Sequence, residues 1–205
     1  MVRNPFLTRR FLHGATLASS VIPLRSLAQE MPILILKDGP LLLPAIKAKR
    51  GEAFQLRIKN EMREATSLHG RGLRMRNTMD GAAPLTQKPI APGETFDLTF
   101  TPPDAGTFLF HAAVREHAGA QMANGLLFPF IVEGDKDPDC DLDLTCLLQE
   151  KIVSETTPPR LLINGAEQVL AHDLRPGARI RLRILSGSTQ RMMSVGSVSY
   201  THLRA

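Results

Sequence analysis

The stretch His69-Gly70-Arg71-Gly72-Leu73-Arg74, then Met79-Asp80-Gly81, Pro89-Ile90-Ala91-Pro92-Gly93-Glu94, Phe100-Thr101-Pro102-Pro103-Asp104-Ala105-Gly106-Thr107-Phe108 and His111, decides how this chain is read. Around it, apolar residues recur at every second position. Phe54, Leu56 and Ile58 alternate with Gln55, Arg57 and Lys59, and Phe96, Leu98 and Phe100 repeat the pattern after the turn at Ala91-Pro92-Gly93. A period of two belongs to a strand with one buried face, so these residues and Ile131 are expected to face a core. Gly106–His111 and Leu126–Val132 read as further strands, the second so continuously apolar that a central position is expected. Pro32–Leu36 and Leu41–Lys47 flank a turn at Asp38-Gly39-Pro40. Short strands separated by Gly and Pro indicate an all-β Greek-key sandwich over residues 31–134, and roughly a hundred residues suffice for one such core.

In order and spacing these motifs closely resemble the first cupredoxin domain of multicopper oxidases, the laccase-like enzymes. The resemblance implies a plastocyanin-like sandwich, copper as cofactor, and oxidation of phenols or low-valent metal ions coupled to reduction of oxygen. In that family two His-X-His pairs from this domain supply four ligands of a three-copper cluster. His69 and His111 stand at the first place of each pair, while Arg71 and Ala113 stand where the family has His. The His-X-His spacing suits a strand because residues i and i+2 project to one face. Two imidazoles can then reach adjacent metals, their other ring nitrogens oriented by acceptors behind them. A guanidinium offers only donors and cannot ligate copper, and Ala113 offers nothing. His69 and His111 are therefore either packed residues held by backbone hydrogen bonds or the remaining metal ligands of a degenerate site. A copper-free cupredoxin-like protein, structural or associated with division, is the alternative. The family's cluster lies between its first and last cupredoxin domains, and the last holds the blue-copper site. Residues 1–205 are accordingly not expected to act as an oxidase alone.

His117, six residues after His111 in the Gly- and Ala-rich segment 115–124, either returns to the site by a bend or is an exposed loop residue. His172 is expected at the surface. Asp80-Gly81 reads as turn geometry, and the scattered methionines as core fillers. Cys140 and Cys146 lie on a segment that alternates like a strand. Six strand residues separate them by roughly 20 Å, too far for a disulfide, whose Cα atoms lie within about 7 Å. Both read as small apolar residues.

The net charge of +5 is concentrated at the start of the chain. Residues 1–28 hold Arg3, Arg9, Arg10 and Arg25 and no acid; without those four, 21 basic residues face 20 acidic ones. No clustered basic surface for nucleic acid is left. Thr8-Arg9-Arg10-Phe11-Leu12, the apolar run Gly14–Leu24 and Ser26-Leu27-Ala28 read as a signal for the twin-arginine export machinery, giving a periplasmic location. The run is too short to span a bilayer. The charged, Pro-containing segment 134–139 marks a boundary. Beyond it, residues 138–197 resemble the opening of the family's second cupredoxin domain, incomplete in this chain. There Ile180, Leu182 and Ile184 alternate with Arg179, Arg181 and Arg183, which are expected to form a solvated face. Residues 198–205 resemble a translated transposase adapter from DNA library preparation, so the chain is read as a fragment with an adapter-derived tail.

Overall fold

A computed structural model describes residues 31–135, 137, 139–151, 157, 159–167, 172–189 and 192–196. The expected export signal at 1–28 and the adapter-like tail at 198–205 lie outside the described residues. The first part of the chain folds as two facing sheets. One joins β1 (Ile33–Lys37), β3 (Phe54–Glu61) and β5 (Thr95–Phe100) in the order β1-β3-β5. The other joins β2 (Ile46–Lys49), β4 (Leu68–Arg71), β6 (Gly106–Ala112) and β7 (Leu127–Glu133) in the order β2-β7-β6-β4. Alternation along each strand decides which side faces in. Leu56, Ile58, Leu98 and Phe100 of the first sheet meet Leu68, Phe110, Phe128, Phe130 and Val132 of the second in one core. Phe54 and Phe96 pack against it at half burial. Phe130 is fully buried, its ring centroid 5.0 Å from that of Phe54 and 5.3 Å from that of Phe110. The opposite face of β3 and β5 is wet, and Arg57 sits across from Asp97 in a two-pronged pair at 2.7 Å.

Ile131 departs from expectation. It is buried, but alternation along β7 places it with Leu127 and Pro129 on the outer face, while Phe128, Phe130 and Val132 fill the sandwich. A run with no polar position carries no phase, so periodicity cannot assign its sides. The central position of β7, between β2 and β6, is as expected. A turn follows β1 as expected, but β2 begins only at Ile46. The segment read as a loop around residues 115–124 contains a short helix, α1 (Ala118–Ala123). Its Gln121 is buried, accepting from the Thr66 hydroxyl at 2.8 Å and donating to the Ala65 carbonyl at 3.1 Å. That pair ties α1 to the entry of β4.

A third sheet, β10-β8-β9, is built from β8 (Leu142–Lys151), β9 (Arg160–Ile163) and β10 (Ile180–Ser186). It docks on the outer face of the four-stranded sheet, where Leu147 and Leu185 pack with Leu109 and Leu127. Its arginines reverse the expected arrangement. Arg183 is only 9% exposed, held by Asp143 at 2.7 and 2.8 Å and by the Thr107 hydroxyl at 2.6 Å. Ile180, Leu182 and Ile184 carry the exposed side. Because β8 and β10 run parallel with Arg181 beside Asp143 and Leu185 beside Leu147, the whole Asp–Arg row shares the docking face. Cys140 and Cys146 are free thiols, as expected. No helix of the described residues is long and apolar enough to cross a membrane.

Candidate metal centre

β4 and β6 run antiparallel in a register that sets His69 directly opposite His111, with Leu68 opposite Ala112 and Arg71 opposite Leu109. The two imidazoles therefore meet on the outer face, ring centroids 5.4 Å apart and planes at 81°. His69 Nδ1 lies 2.8 Å from the Asp80 carbonyl oxygen, and His111 Nδ1 lies 2.8 Å from that of Ala112. A carbonyl only accepts, so each Nδ1 carries the proton and each Nε2 keeps its lone pair. His111 Nε2 is buried and has no protein partner. Burial holds the His111 imidazole below its usual pKa, opposed by the Ala112 carbonyl and reinforced by the charges of Arg71 and His69. The neutral ring is the form a metal binds.

Asp80 reaches His69 because the next residue is glycine. Gly81 has φ +79° and lies so close to β4 that a Cβ would stand 1.8 Å from the Leu68 carbonyl oxygen. A side chain would drive the loop away and break the contact to His69. The Asp80 carboxylate is 3.3 Å from the same Nδ1, completing a carboxylate–histidine arrangement of the sort that orients metal ligands. Farther along, Thr66 and Ile90 exchange backbone hydrogen bonds at 3.1 and 2.7 Å, fastening the loop to the start of β4.

Both histidines singled out in the sequence are thus brought together, and both neighbours are where the spacing put them. Arg71 follows His69 by two residues on β4, is exposed, and has no hydrogen-bond or ion-pair partner among the described residues. Ala113 follows His111 just past β6 and donates its N–H to the Ser67 carbonyl at 3.1 Å. His117 sits ahead of α1 with Nδ1 3.2 Å from a Glu64 carboxylate oxygen, and His172 is exposed. No group of three or more His, Cys, Asp or Glu side chains among the described residues gathers around a possible ion. Two residues were missed from sequence. Asp80 orients His69, although its Asp-Gly pair was read only as a turn. Ser67 has a buried hydroxyl without a partner beside the pair; its place two residues before His69 was the available signal. The donor set fits copper at His111, whose Nε2 is buried without a protein partner, with the His69 imidazole facing it across the two strands. It does not fit at Arg71 and Ala113.

A family model described as "Multicopper oxidase" matches residues 23–137. Laccase-1 of Fomitopsis schrenkii is 33% identical over 183 residues, covering 75% of this chain and 33% of that protein. Multicopper oxidase MmcO of Mycobacterium tuberculosis is 26% identical over 208 residues, covering 78% of this chain and 40% of MmcO. The chain thus spans well under half the length of these curated relatives. Among solved structures, Lac15 from a marine microbial metagenome superposes with a TM-score of 0.66 at 28% identity, covering 78% of this chain and 48% of Lac15. Fet3p, a multicopper oxidase that functions in iron import, gives 0.63 at 28% identity, covering 73% of this chain and 32% of Fet3p. With a cupredoxin sandwich, paired strand histidines and a match over more than half its length, this chain belongs to the multicopper oxidase family.

Proposed function

We propose that this chain supplies the first cupredoxin domain, and the opening of a second, of an exported multicopper-oxidase-like protein in which His69 and His111 hold copper. The observation that carries the reading is the pair itself: each Nδ1 is tied to a backbone carbonyl, and the free Nε2 of His111 is buried without a partner. Copper, when bound, supplies one-electron redox chemistry. The chain's own part is to hold the His111 imidazole neutral by burying it, and to orient the two rings through the Asp80 and Ala112 carbonyls. Relatives named laccase and iron transport multicopper oxidase support an activity of the family kind, copper-dependent oxidation of phenols or metal ions coupled to reduction of oxygen. The Arg9-Arg10 motif supports export by the twin-arginine route to the periplasm. Arg71 and Ala113 leave the domain with two imidazoles rather than the family's four, so its copper complement is reduced.

Metal analysis of the purified chain after copper loading and desalting tests this. About one copper per chain is expected, falling to background in His69→Gln. Arg71→His combined with Ala113→His is expected to raise the stoichiometry. A folded chain that retains no copper, or one whose copper survives His69→Gln, would overturn the reading.

A further inference from the structure

We infer that Arg71 makes the His69–His111 pair a site for a single cuprous ion in preference to a cupric one. The inference rests on the copper reading above and goes beyond it in assigning oxidation state and a role to Arg71. Residue i+2 on a strand lies roughly 7 Å along the same face, so the Arg71 guanidinium shares the outer face with both imidazoles. It has no hydrogen-bond or ion-pair partner among the described residues, and it cannot lose its proton. Asp80 is the acidic group in contact with the pair, and it stands behind His69, 3.3 Å from Nδ1 and on the far side of the ring from Nε2. It therefore offsets Arg71 only in part. His111 is opposite Leu127, which packs with Leu109 and Met122. The apolar wall lies beside His111, while Arg71 itself is exposed, so its charge acts on the pair through partial screening by solvent.

Two independent consequences favour the monovalent ion. Repulsion by a fixed charge scales with the charge of the ion, so Arg71 opposes a cupric ion twice as strongly as a cuprous one. The ligand count acts in the same direction. Cupric copper is tetragonal with nitrogen and oxygen donors, whereas a d10 cuprous ion is satisfied by two or three ligands. The pair offers two, and its centroid separation of 5.4 Å is of the size expected for two imidazoles meeting at a bent angle on one ion with metal–nitrogen bonds of about 2 Å, which leaves a third position to solvent. The buried, partnerless Nε2 of His111, nine-tenths covered, is the separate sign that something belongs there.

The experiment measures copper alone on the full chain, with Cys140→Ser and Cys146→Ser to remove the free thiols. Cuprous affinity is read anaerobically by competition with bicinchoninate, and cupric affinity by competition and electron paramagnetic resonance. Arg71→Gln is expected to strengthen cuprous binding about tenfold and cupric binding about a hundredfold, for a charge near 7 Å with an exposed side chain's screening. The ratio then moves about tenfold, equivalent to lowering the site's potential by about 60 mV. Arg71→Lys, which keeps the charge, should leave the ratio near that of the parent. Equal strengthening of both ions in Arg71→Gln, or no change, would overturn the inference while His69-dependent binding left the copper site standing. Absence of His69-dependent binding of either ion would overturn the site and the inference together.

Discussion

The sandwich of β1–β7 and the sheet of β8–β10 use the same alternation to opposite ends. In the sandwich the apolar set goes inward and the charged set outward: Leu56 and Ile58 are buried while Arg57 pairs with Asp97 in water. In the third sheet the Arg–Asp row lies against the sandwich and Ile180, Leu182 and Ile184 face out. Alternation fixes that a strand has two unlike faces. Which face is covered depends on the neighbour. A facing sheet of Phe and Leu covers an apolar row, whereas Thr107 and the rim of the four-stranded sheet receive a guanidinium that Asp143 already neutralises.

The comparison is broken most severely in the sandwich. Phe130 is fully buried and touches three other phenylalanine rings. Phe130→Ala should cost about 3–5 kcal/mol, seen as a lower midpoint in denaturant for the whole sandwich. In the third sheet Asp143→Ala leaves Arg183, which is only 9% exposed, with the Thr107 hydroxyl as its remaining hydrogen-bond partner among the described residues. The expected cost is about 2–3 kcal/mol, between that of an exposed and of a buried pair. It should register as faster hydrogen exchange in β8 and β10 with the sandwich protected as before. Equal loss of protection in both regions would show that the two are a single cooperative unit.

A pH dependence sharpens the same contrast. Hydrogen bonds from Arg183 hold the Asp143 carboxyl below its usual pKa, with burial opposing and the charges of Arg183, Arg181 and Lys47 adding to the depression. The folded value therefore lies below the unfolded one, about 3.9. The stability Asp143 contributes is full above that value and is lost as pH falls through the folded one. Protection factors in β8 and β10, corrected for the intrinsic exchange rate at each pH, should fall as pH drops below about 4, ahead of the sandwich core, and Asp143→Asn should abolish that part of the dependence.

Much of the sandwich was legible because its strands carry polar positions that fix a phase: Gln55, Arg57 and Lys59 declare the wet side of β3. The run Leu127–Val132 has no such position, and Glu133, the polar residue that shares Ile131's face, comes only at the end of β7, which is why Ile131 was assigned to the wrong side of a strand buried on both. The arginines of β10 were misassigned for the complementary reason. A row of charge reads as solvent-facing until its counter-charges are known, and Asp143 is 40 residues away from Arg183 in sequence. At the candidate metal centre, His69, Arg71, His111 and Ala113 were picked out through the resemblance to the family's two His-X-His pairs. The role of Asp80 was not, because it depends on how closely Gly81 lets the loop approach Leu68. That close approach predicts that Gly81→Ala weakens copper retention more than it unfolds the chain, a difference that metal analysis beside a thermal melt would read.

The smallest expected effect on stability falls on the uncovered side of the third sheet. Leu182 is 53% exposed and Ile180 and Ile184 nearly as much, and they stand on one face of β10. Half-exposed side chains recover little hydrophobic stabilisation on folding, so Leu182→Thr should change the unfolding free energy by about 0.5 kcal/mol or less. Association is another matter. Leu142, Leu144 and Cys146 of β8 occupy the same side as these residues, by the parallel register with β10. Beside this apolar strip, β10 pairs with β8 on one side and no strand among the described residues pairs with its other side. An apolar face at a strand edge invites pairing between copies. The double variant Leu182→Thr with Ile184→Thr should therefore lower concentration-dependent self-association, measured by light scattering, while leaving the melting midpoint nearly unchanged. Unaltered scattering in a variant that remains folded would show that this face does not drive association, and a large drop in the midpoint would show that it is covered in solution after all.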